Sequence, residues 1–129
     1  TAPPRLLLID DEPALADYMA SAARLCGFEP VIASDEDSFH RLYGEIGPAV
    51  VVLDLGMPGT DGVEFLRYLA EQGFGGPVLI VSGFDRRVLE SAFRLGAALG
   101  LAMAGPLEKP VRLEELEEQL LSLRHGLAA

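Results

Sequence analysis

Five residues at four places in this sequence could do chemistry together: the adjacent pair Asp10 and Asp11, then Asp54, Ser82 and Lys109. Carboxylates brought into contact repel one another, so such a group must raise the pKa of at least one member or recruit a cation. Oxygen ligands of this kind suit Mg²⁺, which takes one or two carboxylates, a carbonyl oxygen and several waters. A hydroxyl and an ammonium beside them would add a hydrogen-bond donor and a fixed positive charge. Whether these groups meet depends on the elements that carry them.

Short apolar runs precede each place. They are "RLLLI" (5–9), "EPVIA" (29–33), "AVVVL" (49–53), "PVLIV" (77–81) and "LAMAG" (101–105). None alternates apolar with polar residues, so they read as strands covered on both faces, as in a parallel sheet. Helical periods separate them. Leu15, Met19, Ala22 and Cys26 share one face before Gly27 stops the first helix. Ser34 can cap the second, with Asp35, Glu36 and Asp37 set against its N-terminal dipole. The third runs from about Val63 to Gln72 and ends at Gly73. Val88, Ala92, Leu95 and Leu99 mark the fourth; Leu113, Leu116, Leu120 and Leu123 stripe the last, leaving Glu114, Glu115, Glu117 and Glu118 to face water. Five strands alternating with five helices give an α/β fold, a (βα)5 doubly wound parallel five-stranded sheet of flavodoxin type. Ligands bind such sheets beyond the carboxyl ends of the strands. Asp10-Asp11-Glu12, Asp54, Ser82 and Lys109 all fall on that edge.

The chain has 129 residues, enough for one domain with a sizeable core, and half are hydrophobic. Twenty acidic against ten basic residues leave a formal charge of −10, which argues against direct nucleic-acid binding. The apolar runs are too short for membrane insertion. One cysteine, Cys26, excludes an internal disulfide and fits a reducing, cytoplasmic setting; it reads as a small buried apolar residue. A chain opening on Thr1 rather than Met is expected to come from processing or from a longer polypeptide.

The motifs "IDDEP" (9–13), "DLGMPGTDG" (54–62), "VSG" (81–83) and "EKP" (108–110) stand in order at the ends of these strands. In this the whole chain, 1–129, resembles a receiver domain of the two-component response regulators. The resemblance implies a signalling domain, not a metabolic enzyme, that catalyses its own phosphotransfer and autodephosphorylation. Asp54 would be the phosphoacceptor, attacking a phosphohistidine on a sensor histidine kinase or histidine phosphotransfer protein. Asp11, Asp54 and the Gly56 carbonyl would coordinate Mg²⁺, with Mn²⁺ as a substitute, and Asp10 would hold metal-bound water. Lys109 would pair with one phosphoryl oxygen, Ser82 with another, and the Gly83 amide with the third.

Taken singly each residue has a plainer reading. Asp10 or Asp11 could cap the helix starting near Pro13, and Asp54, Ser82 and Lys109 could be a loop aspartate, a strand-end hydroxyl and a surface charge. Their coincidence on one sheet edge favours the site. Met57 reads as packing, Pro58-Gly59 as a turn, Asp61-Gly62 as shaping the start of the third helix, and His40 and His125 as structural or exposed.

Two departures from the family pattern stand out. Pro106 occupies the position, three before the lysine, where many receivers carry a rotating aromatic ring, which puts the usual coupling of the serine to that ring in question. Ser82 and Lys109 are 27 positions apart (82 to 109), more than in most receivers, so the fourth helix is expected to be a turn or more longer. In this respect the chain is similar to receivers linked to cyclic-di-GMP phosphodiesterases, which have a comparable "GL…G.LEKP" run. The resemblance places a phosphorylation-dependent contact with an output domain, another protein or a second copy on residues 85–123. Gly56 implies an acyl phosphate open to water. Two other readings compete: a fold that signals without phosphorylation, and an aspartyl-phosphate hydrolase of the haloacid dehalogenase type. The latter characteristically has a second aspartate two residues after the nucleophile, where Gly56 stands here, and a cap insertion that 129 residues leave no room for.

Overall fold

The apolar runs become the strands of one sheet. The structure, a computed structural model, describes residues 2–56, 61–83 and 86–127. The elements are β1 (Arg5–Ile9), α1 (Pro13–Leu25), β2 (Glu29–Ala33), α2 (Glu36–Ile46), β3 (Val50–Asp54), α3 (Gly62–Glu71), β4 (Pro77–Ser82), α4 (Arg86–Ala98), β5 (Ala102–Glu108) and α5 (Leu113–Leu127). All pairings are parallel, in the order β2-β1-β3-β4-β5. This is the flavodoxin-like order, whose switch point falls between β1 and β3.

Strand side chains alternate between two faces. Leu7, Ile9, Val51, Leu53 and Ile80 meet Phe39 of α2, Phe65 and Leu69 of α3 and Leu89 of α4 on one side. Leu6, Leu8, Val52 and Val81 meet Met19 of α1 and Leu116 and Leu120 of α5 on the other. The three inner strands are buried almost throughout, as a sheet covered on both faces requires. The edge strands β2 and β5 are only partly covered, and Ile32 is exposed.

Local chemistry sets the helix ends. Pro13 stands at the start of α1, where its missing N–H costs nothing. The cap of α2 is Asp35 rather than Ser34. The Asp35 carboxylate accepts from the Ser38 amide (2.8 Å) while the Ser38 hydroxyl accepts from the Asp35 amide (3.3 Å), a reciprocal pair that Ser34 is one residue too early to make. Asp61 caps α3 by accepting from the Val63 amide at 3.0 Å. Met57, Pro58 and Gly59, read from sequence as packing and a turn, lie outside the described residues.

α4 docks on a different face from the one its spacing suggests. Leu89, Ala92 and Gly96 are buried, whereas Val88 and Leu99 are exposed and Leu95 is half-buried. Gly96 is the reason: a Cβ there would stand 2.2 Å from the Met103 sulfur, so the helix rests its bare side on β5. In α5 the stripe narrows to Leu116 and Leu120, with Leu123 partly buried and Leu113 exposed on the first turn. α4 has 13 residues, and the long 82–109 span also takes in β5. β5 is a seven-residue strand with an irregular register: Leu79 pairs with Ala104 but Val81 with Leu107, so β5 spends three steps where β4 spends two. The extra residue falls at Gly105-Pro106, where Gly105 has φ +83, as a glycine bulge requires.

Gly76, ahead of β4, has no room for a side chain, since a Cβ there would lie 2.1 Å from the Ala49 carbonyl oxygen. Because backbone must move to admit it, Gly76→Ala is expected to cost about 2 kcal/mol or more. Urea denaturation should show a lower midpoint with an unchanged slope.

Candidate functional site

Backbone hydrogen bonds hold the strand ends that carry the reactive side chains. The Asp10 amide donates to the Ala33 carbonyl (3.3 Å), the Leu55 amide to the Val81 carbonyl (3.1 Å), and the Lys109 amide to the Ser82 carbonyl (2.9 Å). Asp10, Asp54 and Ser82 are therefore fixed at the carboxyl edge, and each is buried, with 1%, 1% and 0% of its surface exposed. They are the buried polar residues of the described core. Burying a carboxylate costs several kcal/mol unless a partner compensates.

Lys109 is that partner. Its ammonium lies 3.0 Å from Asp54 Oδ2, 3.3 Å from Glu12 Oε1 and 3.7 Å from Asp10 Oδ2. The first two are hydrogen bonds; Asp10 Oδ2 accepts none from any described residue. The remaining carboxylate oxygens are held by backbone amides: Asp10 Oδ1 accepts from Glu12 (2.9 Å), and Asp54 Oδ1 from Gly56 (3.0 Å).

A hard divalent cation fits this donor set. Asp10, Asp11 and Glu12 each offer an oxygen within 4.8 Å of the others, and the unsatisfied, buried Asp10 Oδ2 points to a positive charge it does not fully have. Of the expected ligands, Asp10 and Asp54 are brought together and Asp11 lies exposed beside them. Gly56 stands at the mouth, where an added Cβ would be 3.5 Å from the Ser82 hydroxyl and 3.6 Å from Asp54 Oδ1. Gly83 is exposed alongside the Lys109 stem, with an added Cβ 4.0 Å from Lys109 Cβ. A cleft of about 370 Å³ opens beyond Lys109, lined by Arg86, Glu108, Pro110, Arg112 and Glu115.

Glu12 was missed as a site residue. Its signal was adjacency to the aspartate pair in "IDDEP", but nothing in the sequence says that its side chain spans to a lysine 97 residues away. The two histidines lie elsewhere: His40 stacks on Tyr68 with ring centres 4.3 Å apart, and His125 is exposed on α5. Cys26 is buried, and burial, with the charge of Glu117, pushes its thiol pKa up.

The response regulator receiver domain family model matches residues 6–121. The chain belongs to that family. Among curated relatives, the receiver domain is 34% identical over 95% of its length to transcriptional regulatory protein TrcR of Mycobacterium tuberculosis, covering 46% of that protein. It is 36% identical over 72% of its length to the C4-dicarboxylate transport transcriptional regulatory protein DctD of Pseudomonas aeruginosa, covering 20% of it. The chain thus spans between a fifth and about half of these relatives. A response regulator from Colwellia psychrerythraea superimposes with a TM-score of 0.80 at 26% identity, over 97% of this chain and 99% of that one. A CheY-like receiver domain protein from Methanospirillum hungatei shares the fold at a TM-score of 0.82 and 19% identity, over 98% of each chain.

In this receiver domain the charges are unbalanced. Burial pushes the Asp10 pKa up, and the charges of Asp54 and Glu12 add to it, against the Glu12 amide and Lys109. Burial alone would pull Lys109 down, but its hydrogen bond to Asp54 and the charges of Asp54 and Asp10 outweigh that and raise it. Since Asp10 binds its proton more tightly folded than unfolded, its ionised form weakens the fold at neutral pH, and the penalty fades as pH falls through the raised pKa. Asp10→Asn should therefore stabilise the cation-free domain at pH 7 by about 1 kcal/mol. The gain should shrink toward the carboxylate range in thermal denaturation followed across pH.

Proposed function

We propose that residues 1–129 form one receiver domain in which Asp54 accepts a phosphoryl group from a phosphohistidine on a sensor histidine kinase or histidine phosphotransfer protein. The observation that carries this reading is Asp54 itself: a buried carboxylate on the last residue of an inner strand, 3.0 Å from a lysine ammonium, at the edge where α/β sheets bind ligands. An Asp54 oxygen attacks phosphorus, the phosphorus–nitrogen bond breaks, and the imidazole leaves with its electron pair. The product is an acyl phosphate on Asp54.

The remaining residues stabilise charge. Lys109, already between Asp54 and Glu12, is placed to pair with a phosphoryl oxygen, and the buried Ser82 hydroxyl and the Gly83 amide take the others. Asp10, Asp11, Asp54 and the Gly56 carbonyl are the groups that would hold Mg²⁺ or Mn²⁺. A cation bound there supplies positive charge against which an anionic donor can approach. Gly56 leaves the mouth open, so water reaches the acyl phosphate and the domain dephosphorylates itself. The state of Asp54 is read out by a phosphorylation-dependent contact of an output domain, a protein or a second copy with residues 85–123. Pro106 in the β5 bulge replaces a rotating ring with a fixed one, so that readout passes through α4 and β5 rather than through an aromatic rotamer. A cytoplasmic setting suits a partner kinase of this kind, and no described helix is long and apolar enough to cross a membrane.

Incubation with acetyl phosphate and Mg²⁺ should add one phosphoryl group by intact mass, lost on prior chelation and absent in Asp54→Ala. No adduct on folded protein, with acetyl phosphate or with a phosphohistidine donor, would refute the reading. Gly56→Asn should slow loss of that added mass about threefold or more, since its side chain would stand between the acyl phosphate and solvent. Amide hydrogen exchange over residues 85–123 should change on phosphorylation.

A further inference from the structure

The ammonium of Lys109 has three donors and three carboxylates around it, yet it does not serve them equally. It hydrogen-bonds to Asp54 at 3.0 Å and Glu12 at 3.3 Å, and leaves Asp10 Oδ2, at 3.7 Å, without a hydrogen bond although that oxygen is buried. An unsatisfied buried carboxylate oxygen is costly, and a lysine within reach would ordinarily turn to it. On its outer side the ammonium meets Glu12. Its backbone is anchored by the amide hydrogen bond to Asp10 Oδ1, at 2.9 Å, and its side chain, 63% exposed, crosses the mouth from the start of α1 to the end of β5.

We propose that Glu12 is a positioning residue that draws Lys109 outward and so keeps the buried Asp10 Oδ2 open to a divalent cation. The inference rests on the cation-binding part of the proposed function, and it extends that reading to a residue outside the expected ligand set. Without Glu12, Lys109 keeps Asp54, turns its freed donor to Asp10 and occupies with its own charge the place a cation would take. With Glu12, the site keeps its lysine for a phosphoryl oxygen and its aspartates for the metal. The geometry leaves Asp10 Oδ2 without the lysine's hydrogen bond while Asp54 Oδ2 keeps one, so ammonium and cation do not compete for the Asp10 oxygen.

Lys109 is the only lysine in the chain, so lysine labelled with ¹³C at Cε reports on this one ammonium. Its signal in full-length protein, free of phosphodonor, is followed with chelator and then through a Mg²⁺ titration. In the cation-free state Glu12→Gln should move the Lys109 signal away from its wild-type position, and Mg²⁺ should bind about three- to fivefold more weakly, the worth of one exposed ion pair. Glu12→Asp keeps the charge but shortens the arm, so it should behave like Glu12→Gln. Glu115→Gln, which removes a charge from the cleft that Lys109 also lines but not one of Lys109's ion pairs with Asp10, Glu12 and Asp54, should leave both readouts as in wild type. Equal Mg²⁺ affinity in wild type and Glu12→Gln, a wild-type response in Glu12→Asp, or the same loss in Glu115→Gln would overturn the inference alone. A wild-type Lys109 signal indifferent to Mg²⁺ would overturn the cation reading and this inference with it, whereas failure to phosphorylate Asp54 while these signals behave as expected would count only against phosphotransfer.

Discussion

Lys109 holds one ammonium among three carboxylates, and the organisation of the carboxyl edge turns on that imbalance. Asp10 and Asp54 are almost wholly buried, so their charges are weakly screened and the lysine is the positive group that the described residues set against them. One cation cannot satisfy both while a third carboxylate pulls it toward solvent. The outcome is a site with surplus negative charge, an aspartate whose pKa is raised and a lysine whose pKa is raised. That surplus of negative charge suits the proposed function, in which a cation binds before an anionic phosphoryl group reaches Asp54.

The sheet makes this arrangement affordable. β1 and β3 are neighbours although 43 residues of chain (11–53), including β2 and α2, separate Asp10 from Asp54, and their carboxyl ends meet at the switch point of the strand order. Interstrand hydrogen bonds continue past the strands at Asp10, Leu55 and Lys109, so the candidate site residues stand on backbone tied to the neighbouring strand. The cost of two buried charges is met by two apolar layers, one under α1 and α5 and the other under α2, α3 and α4.

β5 and α4 differ from the rest in how they are fitted. Gly96 lets the helix lie against Met103, and Gly105-Pro106 inserts an extra residue into the strand that ends at Glu108, next to Lys109. The bulge therefore lies both on the strand that leads to the lysine and on the side of the sheet edge where β5 meets α4. Of the two departures visible in the sequence, Pro106 lies in this bulge, and the bulge contributes one residue to the long span.

Reading the residues alone determined the five apolar strands, the alternating helices, the α/β class and the edge on which Asp10, Asp11, Asp54, Ser82 and Lys109 stand, because burial on both faces and helical period are written in local spacing. The motifs made the receiver family legible for the same reason: their residues sit directly at strand ends. Tertiary structure alone decided which face of α4 is buried, since that depends on a glycine meeting a methionine on another strand. It also decided that Asp35, not Ser34, caps α2, a matter of reach between two side chains and two amides. Above all it decided the partners of Lys109. Glu12 and Lys109 are far apart along the chain, and only the packing of β1 beside β3 and of β4 beside β5 brings a carboxylate and an ammonium to 3.3 Å.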